Sequence, residues 1–292
     1  MKSLNHVLAP AKLNLFLHIT GRRPDGYHLL QSVFMLIDWY DTLHFEVRDG
    51  GRISREDLNV PLPQDDLIIR AARLLQESTG TQLGAHIAIE KSIPAQAGMG
   101  GGSSDAASTL LALNKLWGLG LTVQQLAALG LKLGADVPFF LHGHNAWVEG
   151  VGEIMTPIAL PSAQFAVVKP FEGLETAKIF GSEALKRDTK PATISVFAAN
   201  PFGFGHNDLQ PVAQRLCPQI SESIAWLETA SLGSAVVKGR MTGSGSAVFA
   251  QVPQGTDLSQ MPPVPSAGSK WQIRMCGNLE VHPQKGWASS DD

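Results

Sequence analysis

The chain has 292 residues, of which 44% are hydrophobic and 17% are charged, and its formal net charge at pH 7 is −3. This composition predicts a soluble globular protein with one large domain or two ordinary ones. Because no long Lys/Arg block occurs, neither a nucleic acid nor a membrane is an expected partner. The N-terminal residues lack an apolar signal segment, and Cys217 and Cys276 form no metal or redox pattern. We therefore expect a cytoplasmic location and no structural metal.

The first predicted strand covers residues 13–19 and overlaps a Pro-Ala-Lys-Leu-Asn-Leu segment at residues 10–15. Lys12 and Asn14 are two residues apart, so on a strand they share one face, while Leu13 and Leu15 take the other. By itself this pattern is typical of an ordinary edge strand with a polar face. Close to a bound phosphate, however, Lys12 would be a useful cation.

Tyr27 and His28 follow a turn-rich segment, residues 20–26. Such a pair can stack on a base and hydrogen-bond it, although it more often packs at a turn. Beyond it we predict short strands at 33–37 and 43–47, and a hairpin-like turn at 49–51. A helix over 65–77 and a strand over 86–90 complete this part of the chain.

The most informative segment is glycine-rich and leads directly into an amphipathic helix. Glycines let backbone amides approach a ligand closely, and the start of a helix presents free N–H groups and a positive dipole end. A phosphate group is stabilised by such amides and by the positive end of the helix dipole. The alternative interpretation is a plain tight turn. The pattern matches neither the P-loop nor G-x-G-x-x-G. The residues of this predicted phosphate-binding loop are Pro94, Ala95, Gln96, Ala97, Gly98, Met99, Gly100, Gly101, Gly102, Ser103 and Ser104.

After the loop helix, Thr122 and Gln125 predict a capping box and a second helix to about residue 133. Asp136 comes next, two residues before Pro138, in an otherwise apolar segment. One interpretation is a helix N-cap. The other is a rigidly held carboxylate that accepts a hydroxyl proton, and the spacing does not choose between them.

The second half of the chain mixes strands and helices without a regular βαβ rhythm, which favours an α+β fold. Strands are expected at 147–154, 165–169 and 247–252, with helices at 174–185, 207–216 and 220–227. Prolines at 157 and 161 indicate a crossing between two domains. A second cluster of small residues, at 241–246, could form another backbone anion nest or simply a turn.

Taken in order, these segments resemble the GHMP kinases, which transfer phosphate from ATP to small alcohols. The resemblance rests on residues 10–17, 24–28, 94–105, 134–140 and 241–246, together with Asn207-Asp-Leu. It implies an N-terminal ATP-binding domain like domain 2 of ribosomal protein S5, over 1–158. A C-terminal ferredoxin-like domain would cover 159–286, followed by a flexible tail, 287–292. Both substrates would lie in the cleft between the domains.

The resemblance also implies roles for individual residues. Asp136 would be the base and Lys12 would stabilise it and the developing charge. ATP would lie on residues 94–104, with Mg²⁺ bridging its phosphates and no metal ligand from the protein. The substrate-binding residues would be Asn14, Tyr27, His28 and, as the second aromatic against a cytosine, Phe204. The second glycine motif would consist of Thr242, Gly243, Ser244 and Gly245.

The Lys-x-Asn and Asp-Gly-Tyr-His motifs are most similar to those of one branch of the family. That branch phosphorylates the 2-hydroxyl of a cytidine-diphosphate sugar alcohol for isoprenoid synthesis. The expected partners are then two small molecules, and the chain would be a monomer or a weak homodimer. A homoserine- or mevalonate-type kinase is the alternative within the family, but those substrates have no base to stack on Tyr27. A non-catalytic nucleotide-binding regulator of the same fold is the other alternative.

Overall fold

The computed structural model describes residues 2–230, 237–265 and 270–290, which form two sheets with helices packed against them. The strands are β1 (Ser3–Arg22), β2 (His28–Arg48), β3 (Ile53–Asp57), β4 (Gly84–Glu90), β5 (Ala146–Glu149), β6 (Ile154–Pro157), β7 (Gln164–Lys169), β8 (Arg240–Met241), β9 (Val248–Val252) and β10 (Gln272–Gly277). The helices are α1 (Leu67–Thr79), α2 (Gly101–Trp117), α3 (Val123–Leu131), α4 (Val137–His142), α5 (Thr176–Phe180), α6 (Ile194–Ala198), α7 (Gln210–Leu216) and α8 (Gln219–Glu228).

The first sheet is built on the long antiparallel pair β1–β2. Within the described residues its strand order is β3-β4-β2-β5-β6. Strand β1 also pairs with β2 but is not part of that order. Helix α2 is buried along almost its whole length and packs against α1, α4 and β1. Its alanines and serines permit this close approach, and its leucines, with Leu36 and Phe45 of β2, fill the first core.

Two local predictions in this sheet are wrong. The segments 33–37 and 43–47 belong to a single strand, β2, and the turn at 49–51 does not join hydrogen-bonded neighbours. Strand β4 pairs with β2, while β3 pairs with β4 in parallel. Turn-forming residues predict a reversal of the chain, but they do not determine which strand occupies the neighbouring position in the sheet.

The second sheet has the order β10-β7-β9-β8, and each neighbouring pair is antiparallel. Helices α7 and α8 supply apolar side chains to the second core, where Ile220 and Leu227 meet Met241 and Val248. The predicted helix at 174–185 covers only Thr176–Phe180, because Gly181 follows it as the C-cap. The predicted strand at 147–154 is divided into β5 and β6 by a turn with Gly150 and Gly152 at positive φ.

After β10 the chain returns to the first sheet. Val281 bridges His144, and the Gln284 side chain donates to the Leu8 carbonyl at 2.8 Å. Trp287 packs against the first core, and the Ser289 carbonyl accepts from the backbone of α3 at 3.0 Å. Residues 287–289 of the predicted tail are therefore packed on the first sheet, while 291–292 lie outside the described residues. In the described ranges, no helix is long and apolar enough to cross a membrane.

Candidate active site

A cavity of about 990 Å³ lies between the two sheets and is lined by both glycine-rich segments. Lys12 and Asn14 of β1 form one wall, and Asp136 lies at another. The start of α5 and the loop 243–245 close it from the second sheet. The predicted catalytic pair and the predicted phosphate-binding residues, except the fully buried Ser104, are therefore brought to one cleft.

The first glycine loop leaves the N-terminus of α2 open toward this cavity. Gly100 is the N-cap with φ +73°, and no side chain caps the helix. A side chain at Gly100 would also collide with Phe140, whose ring carbon would lie 2.9 Å from the added Cβ. Uncapped amides at the start of a 17-residue helix form a site suited to phosphate oxygens. This arrangement fits the triphosphate of ATP.

The second glycine motif supports the first by direct backbone contact. Ser246 and Ala247 donate their amides to the carbonyls of Gln96 and Ala97, at 3.0 and 3.2 Å. A Cβ on Gly98, whose φ is +71°, would lie 2.3 Å from the Thr242 carbonyl oxygen. Only glycine permits this approach, so the two loops are fitted to each other.

Asn207 and Asp208 anchor that second motif. The Asn207 side chain donates to the carbonyls of Met241 and Gly243, at 2.9 and 2.8 Å. The Asp208 carboxylate accepts the Ile19 amide at 2.7 Å, which ties the segment to β1. The structure thus gives this pair a positioning role behind the cavity, and α7 begins only at Gln210.

Lys12 and Asn14 share one face of β1 and hydrogen-bond to each other through their side chains. Asn14 also donates to the Ser32 hydroxyl at 2.9 Å, while its backbone amide donates to the Thr242 hydroxyl at 2.8 Å. The Lys12 amide donates to the Met99 carbonyl at 2.9 Å. These bonds fix the lysine between β1 and both glycine segments.

The Lys12 ammonium lies 3.6 Å from a carboxylate oxygen of Asp136 and 4.8 Å from the centre of the Phe34 ring. Burial lowers the pKa of Lys12, and the nearby Asp136 carboxylate partly opposes that shift. Asp136 occupies the N-cap position of α4, but its side chain makes no capping hydrogen bond. The carboxylate is therefore placed at the cavity rather than used by the helix.

Tyr27 and His28 line a second cavity of about 480 Å³. It shares the lining residues Leu30, Val151 and Phe180 with the large cavity, so the two cavities adjoin. The Tyr27 side chain is 64% exposed, and the His28 ring centre lies 5.1 Å from that of Phe180. Burial is the main cause that lowers the pKa of His28, followed by Arg187 and Arg22. An aromatic pocket thus adjoins the predicted catalytic pair.

The prediction that Phe204 is the second aromatic of this pocket is wrong. Phe204 lines neither cavity and packs on Phe16 and Phe197, with ring centres at 5.0 and 5.8 Å. Its carbonyl accepts a hydrogen bond from Arg240. Phe180, which closes α5, is the aromatic that faces His28. The chain path through α5 decides this, and no local pattern distinguishes the two phenylalanines.

Sequence analysis also missed a buried charge cluster, consisting of Asp41, Lys91 and Asp105, next to the phosphate-binding loop. Lys91 bonds Asp41 and lies 2.6 Å from an Asp105 oxygen. Asp41 also accepts the amides of Ser92 and Ile93, at 2.5 and 2.8 Å. Burial raises the pKa of Asp105 to about 8, although Lys91 acts in the opposite direction. The sequence signal that could have predicted this cluster is the position of Lys91 and Asp105, one on each side of the loop.

Comparisons with known proteins show the family of this chain. The family model "GHMP kinases N terminal domain" matches residues 66–144. A protein of Albidiferax ferrireducens is 65% identical over 291 residues, covering 100% of this chain and 98% of its own length. One of Paracidovorax citrulli is 61% identical, with both chains fully covered. Both relatives are called 4-diphosphocytidyl-2-C-methyl-D-erythritol kinase.

Solved structures show the same relationship. A crystal structure of 4-(cytidine 5′-diphospho)-2C-methyl-D-erythritol kinase is 33% identical with a TM-score of 0.75, over 94% of this chain and 99% of that one. Homoserine kinase from Cytophaga hutchinsonii shares the fold at 16% identity and a TM-score of 0.62, over 86% and 89%. With more than 60% identity to named relatives across its whole length, this chain belongs to the 4-diphosphocytidyl-2-C-methyl-D-erythritol kinases, a branch of the GHMP kinases.

Proposed function

We propose that this chain transfers the γ-phosphoryl group of ATP to the 2-hydroxyl of 4-diphosphocytidyl-2-C-methyl-D-erythritol, a step in isoprenoid precursor synthesis. The observation that carries the proposal is the meeting of Lys12 and Asp136 in a cavity that adjoins the Tyr27–His28 pocket. In this proposal one molecule places its base in the aromatic pocket and its alcohol beside Asp136.

Asp136 is the general base in this proposal. Its side chain is 34% exposed while that of Lys12 is 4% exposed, so the carboxylate can reach a substrate and the ammonium acts from behind it. The hydroxyl proton passes to Asp136 as the oxygen attacks the γ-phosphorus, the bond to the β-phosphate oxygen breaks, and ADP leaves. Lys12 stabilises the negative charge near the transferred group, which is the main demand of phosphoryl transfer.

The phosphates of ATP bind the amides at the start of α2, with Ser103 and the second glycine motif around them. Mg²⁺ would neutralise phosphate charge during the transfer. Among the described residues, no group of three or more His, Cys, Asp or Glu side chains could hold a metal ion. Mg²⁺ commonly keeps substrate phosphates as its ligands, and the site fits an ion that arrives with ATP.

We also propose the domain assignment given above, 1–158 and 159–286. The strand order of the second sheet supports a ferredoxin-like domain. When β7, β8, β9 and β10 are numbered 1 to 4, their order across the sheet is 4-1-3-2, and helices lie between strands 1 and 2. The first sheet and its helices support the S5-like assignment less directly. We also propose a cytoplasmic location, on the composition and cysteine pattern described above, and a monomer or weak homodimer.

A substrate panel tests the function. Coupled ATP consumption is measured with the cytidine-diphosphate alcohol, homoserine and mevalonate, and ³¹P NMR of the product locates the new phosphate. The proposal expects turnover only with the cytidine-diphosphate alcohol and a phosphate on its 2-hydroxyl. Turnover of homoserine or mevalonate would support another GHMP kinase, and tight binding without turnover would support a regulator.

A further inference from the structure

The contact between Arg187 and His28 determines which imidazole nitrogen carries the proton. The Nε–H of Arg187 donates to Nε2 of His28 at 2.9 Å. A guanidinium has donors only and stays protonated in proteins, so Nε2 must supply a lone pair. His28 is therefore neutral and its proton is on Nδ1.

Arg187 is held for this contact by backbone carbonyls of its own segment. Its Nη1 donates to the Leu185 carbonyl at 2.9 Å, and its Nη2 donates to the carbonyls of Phe180 and Ser182, at 3.2 and 2.8 Å. With both terminal nitrogens occupied, Nε remains directed at the imidazole. The same side chain thus fixes the segment that carries Phe180.

The Nδ1 side of His28 is left for a ligand. His28 lines the aromatic cavity, whereas Arg187 does not, so the arginine approaches the ring from outside that cavity. Nδ1 makes no hydrogen bond with any described residue, unlike Nε2. Nδ1 is therefore the ring nitrogen that remains for a ligand bound in this cavity.

We propose that Arg187 is a specificity-positioning residue, which locks His28 in the Nδ1–H tautomer so that the pocket selects cytosine over uracil. This inference rests on the proposed function. Cytosine presents an unprotonated ring N3 and a carbonyl O2, both acceptors, whereas N3 of uracil carries a hydrogen. A fixed Nδ1–H donor matches the first ring and opposes the second, because two donors would face each other.

Charge around the ring supports the neutral state that the lock requires. Burial lowers the pKa of His28 first, and the charges of Arg187 and Arg22 lower it further. Arg22 binds the Gly26 carbonyl at 3.1 Å and makes no bond to His28. Asp25 also lines the cavity, but it pairs with Arg23 at 2.7 Å. Arg22 itself lines the aromatic cavity, so the control is Arg215, which is exposed on α7 and lines neither cavity.

The first experiment is ¹⁵N NMR of the full-length wild-type protein labelled at histidine. The expected spectrum shows His28, assigned with His28→Gln, with a protonated Nδ1 and an unprotonated Nε2 at neutral pH. In Arg187→Met the two tautomers should mix, and in Arg215→Met the wild-type pattern should persist. A wild-type spectrum with the proton on Nε2 overturns the proposal without any mutant.

The second experiment compares kcat/KM for the cytidine-diphosphate alcohol and its uridine analogue. The ratio should fall about tenfold or more in Arg187→Met, mainly through KM, and stay within about twofold of wild type in Arg215→Met. Arg187→Lys, which keeps the charge but lacks a fixed Nε–H, should lose selectivity like Arg187→Met. An unchanged ratio in both Arg187 variants overturns the inference, while absence of wild-type turnover with either substrate instead overturns the proposed function.

Discussion

Lys12 and Asp136 meet across the cavity, with the ammonium nitrogen 3.6 Å from a carboxylate oxygen, although one comes from β1 and the other from the start of α4. The helix does not use the Asp136 carboxylate as a cap. The lysine is buried behind it and held by Asn14. This division between an accessible acid and an enclosed cation is the arrangement that a base-assisted phosphoryl transfer needs.

Asp136→Asn tests the general base. It keeps the size of the side chain but cannot take a proton, so kcat should fall about 10²–10⁴-fold with little change in either KM. Steady-state kinetics of the purified variant measure this. Asp257→Asn, on a surface turn outside the cavity, is the matched control and should retain wild-type kcat. A loss under tenfold would give Asp136 a positioning role only.

Lys12→Met tests the cation behind the base. The variant preserves an unbranched chain in the buried site, but it removes positive charge from the transferring group, so kcat should fall about 10²–10³-fold. Lys132→Met, at the exposed end of α3, controls for the loss of a surface lysine. Normal thermal stability with normal turnover in Lys12→Met would contradict the assigned role.

Gly98→Ala tests the fit between the two glycine segments. The new Cβ would lie 2.3 Å from the Thr242 carbonyl, so the loops must separate and KM for ATP should rise. Gly118→Ala is a matched control, since its φ of +67° resembles the +71° of Gly98 but no atom lies within 4 Å of its Cβ. It should cost roughly 1–2 kcal/mol of stability and leave KM for ATP unchanged. Equal effects of both variants on ATP binding would argue against contact between the loops.

Phe180→Ala and Phe204→Ala separate the two candidate aromatics. If Phe180 stacks on the base, its removal should raise KM for the cytidyl substrate about 5- to 150-fold, the range expected for one base–aromatic contact. Phe204→Ala should instead lower the melting temperature by opening the cluster around Phe16, with KM near wild type. The reverse pattern would restore Phe204 to the pocket.

Asp105→Asn tests the buried charge cluster through pH. The pKa of Asp105 is about 8 in the folded chain, above the unfolded value of 3.8, so the folded state binds the proton more tightly. Stability from this group is complete below pH 3.8 and is lost as pH rises toward 8. The free energy of unfolding of wild type relative to Asp105→Asn should thus decline by at most about 1.4 kcal/mol per pH unit.

Urea denaturation of both proteins at intervals between pH 5 and pH 9 measures that difference. The asparagine side chain retains an oxygen that can accept a hydrogen bond from Lys91. The difference between the two proteins therefore reports mainly the ionisation of Asp105. A difference that does not vary with pH would show that Asp105 titrates alike in the folded and unfolded chains.

Much of the phosphate site could be predicted because its signals are local. Glycines before a helix, a threonine with a glutamine three residues on, and a lysine two residues from an asparagine each impose their geometry within a few residues. The capping box of α3 is present as predicted, whereas α2 begins at Gly101, before the serines, and has no side-chain cap. The alternation on β1 likewise places Lys12 and Asn14 together.

Other contacts depend on which distant segments of the chain the fold brings together. Phe180 rather than Phe204 reaches His28 because α5 ends at Gly181 beside the cavity, and nothing in either phenylalanine's neighbours encodes that path. The bond from Arg187 to His28 also joins segments far apart in sequence.

Local sequence patterns predict that this chain has helix-start amides suited to an anion, together with a lysine and an acid suited to phosphoryl transfer. Tertiary packing brings Lys12 and Asp136 to one cavity and places Phe180 and Arg187 beside His28. The reason is physical: backbone conformation follows from neighbouring residues, whereas a binding site depends on distant segments whose packing the whole core selects.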